Sequence, residues 1–167
     1  MIVSATVPDW GREKPRRYWD PPRRLLRAVR DYQALSGRPL AGPRRALIVL
    51  RHRFWSVITG AEIHLTASIG GGLLVPHPNG IVIHPEVTIG PNCLIFQQVT
   101  LGARAGLAGV PRIGGHVDIG AGAKILGPVQ VGDNAVIGAN AVVLQDVPSG
   151  AVAVGVPARL LDRENAI

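Results

Sequence analysis

Aliphatic side chains recur every six residues along most of the chain. The series begins at Val57 and ends at Val143, with two longer intervals, one of eight residues after Val75 and one of twelve after Leu101. A helix needs a period near 3.6 and a half-buried strand a period of two, so neither fits. A period of six is typical of a parallel β-helix, in which three short faces complete one triangular coil. The pattern predicts a mainly β fold, with such a β-helix over residues 60–161.

The interior of this β-helix is expected to be narrow. Small or aliphatic residues stand four places after the repeating aliphatic residue, and glycine often follows it directly. The composition agrees, because 47% of the residues are hydrophobic but only 4% are aromatic. Cys93 falls on an inward position, so we interpret it as a small core residue and not a nucleophile.

A helical cap is predicted before the repeat. Asp20 stands before two prolines, which is a favourable helix start. A second helix is predicted from Arg44 to about Val57, with an aligned apolar series that includes Leu47 and Phe54. The chain therefore divides into four predicted segments: a loose basic arm (1–17), the helical cap (18–59), the β-helix (60–161) and a C-terminal tail (162–167).

The net charge of +7 comes from the first part of the chain. Residues 1–60 hold 13 of the 18 Lys and Arg residues but only 4 of the 11 Asp and Glu residues. No nucleic-acid recognition motif accompanies this charge, so we expect no nucleic-acid partner. Contact of the basic cap with an anionic membrane surface is a less favoured alternative to a solvated face. One cysteine, no signal-peptide pattern and no long apolar run predict a cytoplasmic protein.

The first interruption of the repeat carries the candidate chemistry. Residues 75–80 insert two extra positions and place His77 between two prolines. Proline restricts the backbone, so the turn is expected to be stiff and to present a single imidazole. An imidazole is suited to taking a proton from a hydroxyl near neutral pH.

Several motifs resemble the serine O-acetyltransferases of the hexapeptide-repeat acyltransferase superfamily. The matching stretches are residues 61–64 (AEIH), 76–83 (PHPNGIVI), 96–102 (FQQVTLG), 119–127 (IGAGAKILG) and 155–159 (GVPAR). The resemblance implies a left-handed β-helix, a homotrimer or trimer-based oligomer, and active sites between subunits. It also implies that His77 is the general base and that Glu62, fifteen residues earlier, orients it. The family usually has Asp at the position of Glu62.

The same resemblance implies acetyl-CoA as co-substrate and no metal. Ala103, Ala121 and Ala139 match the positions along which the pantetheine arm lies, and their spacing of eighteen residues suggests one column of small residues. Lys124 or Arg159 would meet the CoA phosphates as cations.

The second interruption differs from the family pattern. Gly109 and Val110 replace a basic pair that normally precedes this part of the acceptor loop, and Pro76 replaces an acidic residue before the base. We expect Val110, Arg112 and Asn79 on the acceptor side. The acceptor is a small molecule with a hydroxyl group, with L-serine as the family default and a saccharide of exopolysaccharide biosynthesis as the alternative.

Two further interpretations stay open. A non-catalytic β-helix that serves as an assembly or binding module is one, and the terminal Ile167 resembles the end of serine acetyltransferases that dock into a partner enzyme. Zinc bound by His64, His84 and His116, as in a γ-class carbonic anhydrase, is less favoured, because the close histidine pair of that family is absent after His116.

Overall fold

The computed structural model describes residues 3–35 and 42–161. A short 3-10 helix (Trp10–Glu13) is followed by α1 (Pro21–Gln33) and α2 (Gly42–Thr59), and fourteen β-strands follow in three sheets, here called faces A, B and C. Face A comprises β1 (Glu62–Ile63), β3 (Val82–Ile83), β6 (Thr100–Gly102), β9 (Lys124–Leu126) and β12 (Val142–Val143). Face B comprises β2 (Ser68–Ile69), β4 (Thr88–Ile89), β7 (Arg112–Ile113) and β10 (Gln130–Val131). Face C comprises β5 (Leu94–Ile95), β8 (Asp118–Ile119), β11 (Val136–Ile137), β13 (Val152–Val154) and β14 (Arg159–Leu161).

Consecutive strands visit faces A, B and C in turn and form a β-solenoid of about five coils. Neighbouring strands are parallel apart from the last pair, β13 and β14, which is antiparallel. Every strand except β14 turns one aliphatic side chain inward, and on face A Ile63, Ile83, Leu101 and Ile125 stack in a fully buried column. The predicted mainly β fold, a parallel β-helix with a short helical cap before it, is confirmed.

The two interruptions of the repeat lie at different edges of this triangular prism. Residues 76–80 connect the first position on face C to β3 on face A, so this turn lies at the C–A edge. Residues 103–111 connect β6 on face A to β7 on face B and lie at the A–B edge. The two irregular segments of one chain are therefore separated by the width of face A.

The helices close the end of the solenoid at its first coil. Leu25, Leu26, Val29 and Trp55 belong to the same buried cluster as the aliphatic columns of the coils. Apolar side chains at the open end of the first coil would otherwise face water, so the cap extends the hydrophobic core.

Polar side chains of the cap also pair with backbone carbonyls of the first coil. Gln33 donates to the carbonyl of Ala67 at 2.8 Å, and His52 Nε2 lies 2.9 Å from that of Ile63. Arg30 donates to two further carbonyls of this coil. A terminal coil has no neighbour on one side, so these bonds satisfy groups that the repeat leaves unpaired.

The arm predicted to be loose is packed instead. Residues 3–13 follow the edge between faces B and C, where the buried Asn92 holds them. The Asn92 side chain accepts a hydrogen bond from the backbone N–H of Asp9 at 2.8 Å and donates to the carbonyl of Val7 at 2.7 Å. The prediction for residues 1–17 considered charge alone and could not detect this long-range pairing.

Close backbone approach and an ion pair complete the contact of the arm. A Cβ atom at Gly115 would collide with the carbonyl oxygen of Ala5, so only glycine fits there. The carboxylate of Glu13 pairs with Arg30 at 2.7 Å and accepts a hydrogen bond from the N–H of Leu73 at 3.0 Å. The arm thereby joins α1 to the first coil.

The second helix differs from its prediction in the side that it buries. It extends slightly beyond the predicted ends, and Ile48 and Trp55 are its buried apolar residues. Leu47 and Phe54 of the aligned apolar series are 65% and 52% exposed. Apolar residues occur around several sides of α2, so helical spacing could not select the side that packs.

The start of α1 is where the sequence predicts it, but its capping differs. Asp20 stands at the N-cap of α1, as predicted, but its carboxylate accepts a hydrogen bond from the N–H of Arg16 and caps no helical N–H. The predicted tail, residues 162–167, lies outside the described residues, as does Ile167. Over residues 3–35 and 42–161, neither helix has the length and apolar character needed to cross a membrane.

Candidate functional site

The turn at residues 76–80 presents His77 at the C–A edge. The imidazole is exposed and lies over the ring of Phe96 in the next coil, with 6.4 Å between ring centroids and 22° between the planes. The carbonyl of Asn79 accepts a hydrogen bond from the N–H of Gln98 at 2.9 Å, which anchors the turn to the coil below. Rigid backbone and an exposed ring suit a base that must meet an external substrate.

The predicted partner of this base is near the same edge but not bonded to it. Glu62 begins β1, and its backbone N–H donates to the carbonyl of Ile81 at 2.8 Å. The Glu62 side chain is exposed, and within the described part of the chain no hydrogen bond or ion pair within 4 Å joins it to His77. The orienting role of Glu62 therefore stays a prediction.

Small residues continue the C–A edge away from His77. The N–H of Gly122 donates to the carbonyl of Gln97, and the N–H of Asn140 donates to that of Ala121, both at 2.8 Å. The pairing of β8 with β11 places Ala121 and Ala139 in equivalent positions of neighbouring coils. The edge thus has the predicted base at one end and small side chains further along.

The predicted column of three alanines is wrong in one member. Ala103 follows β6 on face A and lies at the A–B edge, whereas Ala121 and Ala139 lie at the C–A edge. The twelve-residue interval between Leu101 and Ile113 advances the chain by one face only, because the loop adds six residues to an ordinary six-residue step. Eighteen residues therefore do not complete one coil across this loop.

Of the three predicted acceptor residues, Asn79 shares the turn with His77, whereas the other two are separated from it within one chain. Val110 packs against the core, and Arg112 is exposed in β7 on face B. Both line a cavity of about 320 Å³ on that face, together with Glu86 and Gln130. Face B lies opposite the C–A edge of the prism, so one chain does not bring these residues to His77.

The two predicted phosphate-binding cations occupy different places. The ammonium of Lys124 donates to the carbonyl of Gln98, which lies at the C–A edge close to the His77 turn. Arg159 is exposed in β14 on face C, at the last coil. Lys124 is therefore next to the His77 turn, whereas Arg159, paired with Val154, lies at the far end of the same C–A edge.

The remaining candidate residues are structural in character. Burial raises the pKa of the Cys93 thiol to about 11, so it is protonated and unreactive at neutral pH. His64 and His84 follow β1 and β3 at the A–B edge, while His116 lies at the B–C edge. Among residues 3–35 and 42–161, no three His, Cys, Asp or Glu side chains converge as a metal site would require.

One feature beside His77 was missed by sequence reasoning. A cavity of about 400 Å³ lies next to the His77 turn, with Pro76 in its wall and Arg16, Arg17 and Trp19 at its rim. The available signal was a pair of arginines close to a tryptophan before a helix start. The basic charge of that segment does not by itself indicate a cavity.

Sequence comparisons relate this chain to acetyltransferases with hexapeptide repeats. The family model "Bacterial transferase hexapeptide (six repeats)" matches residues 111–145. A serine acetyltransferase of Synechococcus elongatus is 45% identical over 109 residues, which are 64% of this chain and 45% of the relative. One of Helicobacter pylori is 47% identical over 109 residues, 64% of each chain.

The solved structures that resemble this chain are also serine acetyltransferases. A soybean serine acetyltransferase complexed with serine aligns with a TM-score of 0.71 and 40% identity over 82% of this chain and 56% of that one. A serine acetyltransferase in complex with CoA aligns with a TM-score of 0.73 and 37% identity over 86% of this chain and 58% of that one. The chain is thus similar to serine acetyltransferases over most of its length, and its residues 111–145 match the hexapeptide family model. It spans about half to two thirds of the length of these relatives.

Proposed function

We propose that the protein is an acetyl-CoA-dependent O-acetyltransferase with L-serine as the first candidate acceptor. The observation that carries the proposal is the exposed imidazole of His77, held on a proline-flanked turn above an edge of small residues. Relatives solved with serine and with CoA support the two substrates.

In the proposed reaction His77 acts as general base. Its unprotonated ring nitrogen takes the proton from the acceptor hydroxyl while the hydroxyl oxygen attacks the thioester carbon. The carbon–sulfur bond then breaks, and the thiolate of CoA takes the proton from the His77 imidazolium. Glu62 would orient the imidazole and stabilise its charged form once a rotamer change brings the carboxylate to the ring.

We place acetyl-CoA along the C–A edge. Ala121 and Ala139 leave room there, and Lys124 supplies a cation beside it. Arg159 begins β14 directly after the last turn of this edge, so it would supply a further cation at the far end. Ala103 lies at the A–B edge, so its predicted contact with CoA would come from a neighbouring subunit.

A trimer-based oligomer follows from the same separation. Val110 and Arg112 on face B reach a His77 edge only if that edge belongs to another copy of the chain. We therefore propose that each active site combines the C–A edge of one subunit with the A–B loop and face B of the next. Packing of identical subunits around a three-fold axis gives three such sites.

A saccharide hydroxyl is the second candidate acceptor. The observation in its favour is the uncharged pair Gly109 and Val110 in the loop expected to contact the acceptor, together with Pro76 beside the base. The ammonium and carboxylate of serine need charged or hydrogen-bonding partners, which these three residues do not supply from their side chains. We place the reaction in the cytoplasm, with no nucleic acid and no membrane surface required.

Steady-state release of CoA from acetyl-CoA tests the proposal. The wild type is assayed with L-serine and then with a panel of sugars, and compared with His77→Ala. Loss of the general base is expected to lower kcat by about 10²- to 10⁴-fold. His116→Asn removes an imidazole at the B–C edge, outside both halves of the proposed site, and keeps a residue that tolerates positive φ, so it serves as the control.

Turnover with serine that depends on His77 supports the first candidate, and turnover with sugars alone supports the second. A wild type that neither binds acetyl-CoA nor releases CoA with any acceptor contradicts the proposal. That result favours the non-catalytic assembly module.

A further inference from the structure

The outer side of α2 carries a continuous apolar surface. Five apolar side chains, here called the outer stripe, are each at least 44% exposed: Leu47, Leu50, Phe54, Val57 and Ile58. With 3.6 residues per turn, they fall within about 100° of one another and away from the buried Ile48 and Trp55. Single exposed apolar residues are common on protein surfaces, but a continuous series on one side of a helix indicates a binding surface.

Arginines flank the outer stripe. The helix holds Arg44, Arg45, Arg51 and Arg53 and no acidic residue. Arg51 pairs with Asp31, whereas within residues 3–35 and 42–161 no carboxylate lies within 4 Å of the other three guanidinium groups. The helical angles place Arg53 on one side of the stripe and Arg44 on the other. An apolar strip between cations is typical of helices that lie in the interface of an anionic membrane.

A cavity of about 400 Å³ adjoins the stripe and adds a place for a phosphate group. Leu50 of the stripe lines it, together with Tyr32, Arg45 and Arg53. The guanidinium of Arg45 lies over the ring of Tyr32, 4.7 Å from its centroid. Guanidinium groups bind phosphate through paired hydrogen bonds, and both arginines lack a carboxylate partner in the described part of the chain. The cavity therefore fits the headgroup of a lipid whose acyl chains contact the stripe.

Exposed aromatic rings extend the same surface beyond α2. Trp19 and Phe54 both pack edge-on against Trp55, with 5.6 Å and 4.9 Å between ring centroids. Each of the two rings is more than half exposed. Tryptophan is favoured where an apolar phase meets water, because its ring is apolar and its N–H is polar. The surface thus continues from the stripe to the residue before the N-cap of α1.

A second copy of the chain is the other candidate occupant of this surface. Two α2 helices paired around a twofold axis would place arginines opposite arginines, and neither helix has a carboxylate to compensate them. Anionic headgroups supply the negative charge that a second copy of this helix lacks. Charge complementarity therefore favours a lipid surface over self-association.

We propose that the outer stripe and its flanking arginines attach the protein to the surface of an anionic membrane, with α2 lying along the surface and not crossing it. Charge alone favours a solvated face for the basic cap, and the exposed stripe reverses that preference. The carbonyl of Gly60, directly after α2, accepts a hydrogen bond from the N–H of Gly80 in the His77 turn at 2.7 Å. Attachment therefore holds the end of the solenoid that carries this turn toward the lipid. Acetyl transfer to a soluble acceptor does not depend on it.

Co-sedimentation of the full-length protein with lipid vesicles tests the proposal. Vesicles of phosphatidylglycerol and phosphatidylcholine in equal parts are compared with vesicles of phosphatidylcholine alone. The anionic vesicles are expected to bind the protein about tenfold more tightly or better, and about 0.5 M NaCl should remove most of this preference. Arg44→Gln/Arg53→Gln should weaken binding to the anionic vesicles and leave binding to the neutral ones unchanged.

The apolar part of the surface is tested with Leu50→Gln/Phe54→Gln. The loss of two side chains that enter the acyl region is expected to weaken binding to the anionic vesicles about tenfold or more. Val7→Gln/Leu160→Gln replaces two exposed apolar residues outside α2 and is the matched control, with unchanged binding expected. Circular dichroism of each variant establishes that it is folded.

A wild type that stays in the supernatant with anionic vesicles overturns the proposal. Equal binding by the wild type and Leu50→Gln/Phe54→Gln does the same. Light scattering adds a third outcome: a smaller oligomer in Leu50→Gln/Phe54→Gln, with no vesicle binding by the wild type, would assign the stripe to a second copy of the chain. None of these results touches the proposed acetyl transfer, which is measured without vesicles.

Discussion

Residues with positive φ mark the corners of the coil between faces B and C. The positions are Gly72, Asn92, His116, Asn134 and Gly150, one in each coil. Residues other than glycine are disfavoured at positive φ, and asparagine tolerates it better than most of them. Asn92 has a second role, because its buried amide holds the N-terminal arm.

Asn92→Ala is expected to destabilise the protein by about 2–4 kcal/mol. The substitution removes three side-chain hydrogen bonds to the arm. It also places alanine, which tolerates positive φ less well than asparagine, at a φ of 61°. Urea unfolding measures the loss. Asn92→Gly keeps the backbone conformation and loses only the hydrogen bonds, so it should cost less than Asn92→Ala. Equal stability of the wild type and both variants contradicts the packed arm.

At the scale of elements, the docking of α2 depends on a partly buried imidazole. His52 lies against the first coil with Nε2 near the carbonyl of Ile63, and since a carbonyl only accepts, Nε2 carries the proton. Burial lowers the pKa of His52 below its ordinary value near 6.5 and outweighs the hydrogen bond to the Ile63 carbonyl, which raises it; the charges of His64 and Arg53 lower it further. Neutral His52 is therefore the form that fits the folded state.

Protonation of His52 makes the free energy of unfolding depend on pH. In the unfolded chain His52 binds a proton near pH 6.5, whereas in the folded protein it does so only at lower pH. The contribution of neutral His52 to the free energy of unfolding is therefore complete above about pH 6.5. It is lost as the pH falls through the pKa that His52 has in the folded protein. His52→Gln should flatten the free energy of unfolding between about pH 5 and 7, measured by urea titration at each pH. His84→Gln should leave the slope unchanged, and an unaltered slope in His52→Gln would assign the pH dependence to another group.

The whole molecule presents its predicted site in two halves. His77, Ala121 and Ala139 follow the C–A edge, while Val110 and Arg112 face the opposite side of the prism. A single coil stack cannot fold one side onto the other, because its three faces are rigidly hydrogen-bonded along their length. The site that we propose therefore requires a second copy of the chain.

Mixed oligomers give a sharp test of this arrangement. His77→Ala and Arg112→Ala are each expected to have low activity alone. Co-expression should restore about a quarter of the sites to wild-type composition, because a site that draws its two halves from different subunits finds both intact with that frequency under random mixing. Activity is measured on the purified mixed oligomer. No gain over the two parent proteins would place both residues in the same subunit's site, or Arg112 outside it.

The repeat and the turn that presents His77 were predictable from sequence because both depend on local order. A hexad period places Ile63, Ile83 and Leu101 in one inward column whatever else the chain does, and the prolines beside His77 make a stiff turn through covalent geometry alone. The fold class and the presence of a helical cap followed from such short-range rules.

The path of the arm, the buried side of α2 and the edge occupied by Ala103 required the tertiary structure. Asn92 bonds to residues more than eighty positions away, and no local pattern records such a pairing. Helical spacing shows which residues of α2 align but not which of them meet the core. The position of Ala103 depends on how many faces a twelve-residue loop spans, and that number is decided by the hydrogen bonds of the coils above and below, not by the spacing of residues along the chain.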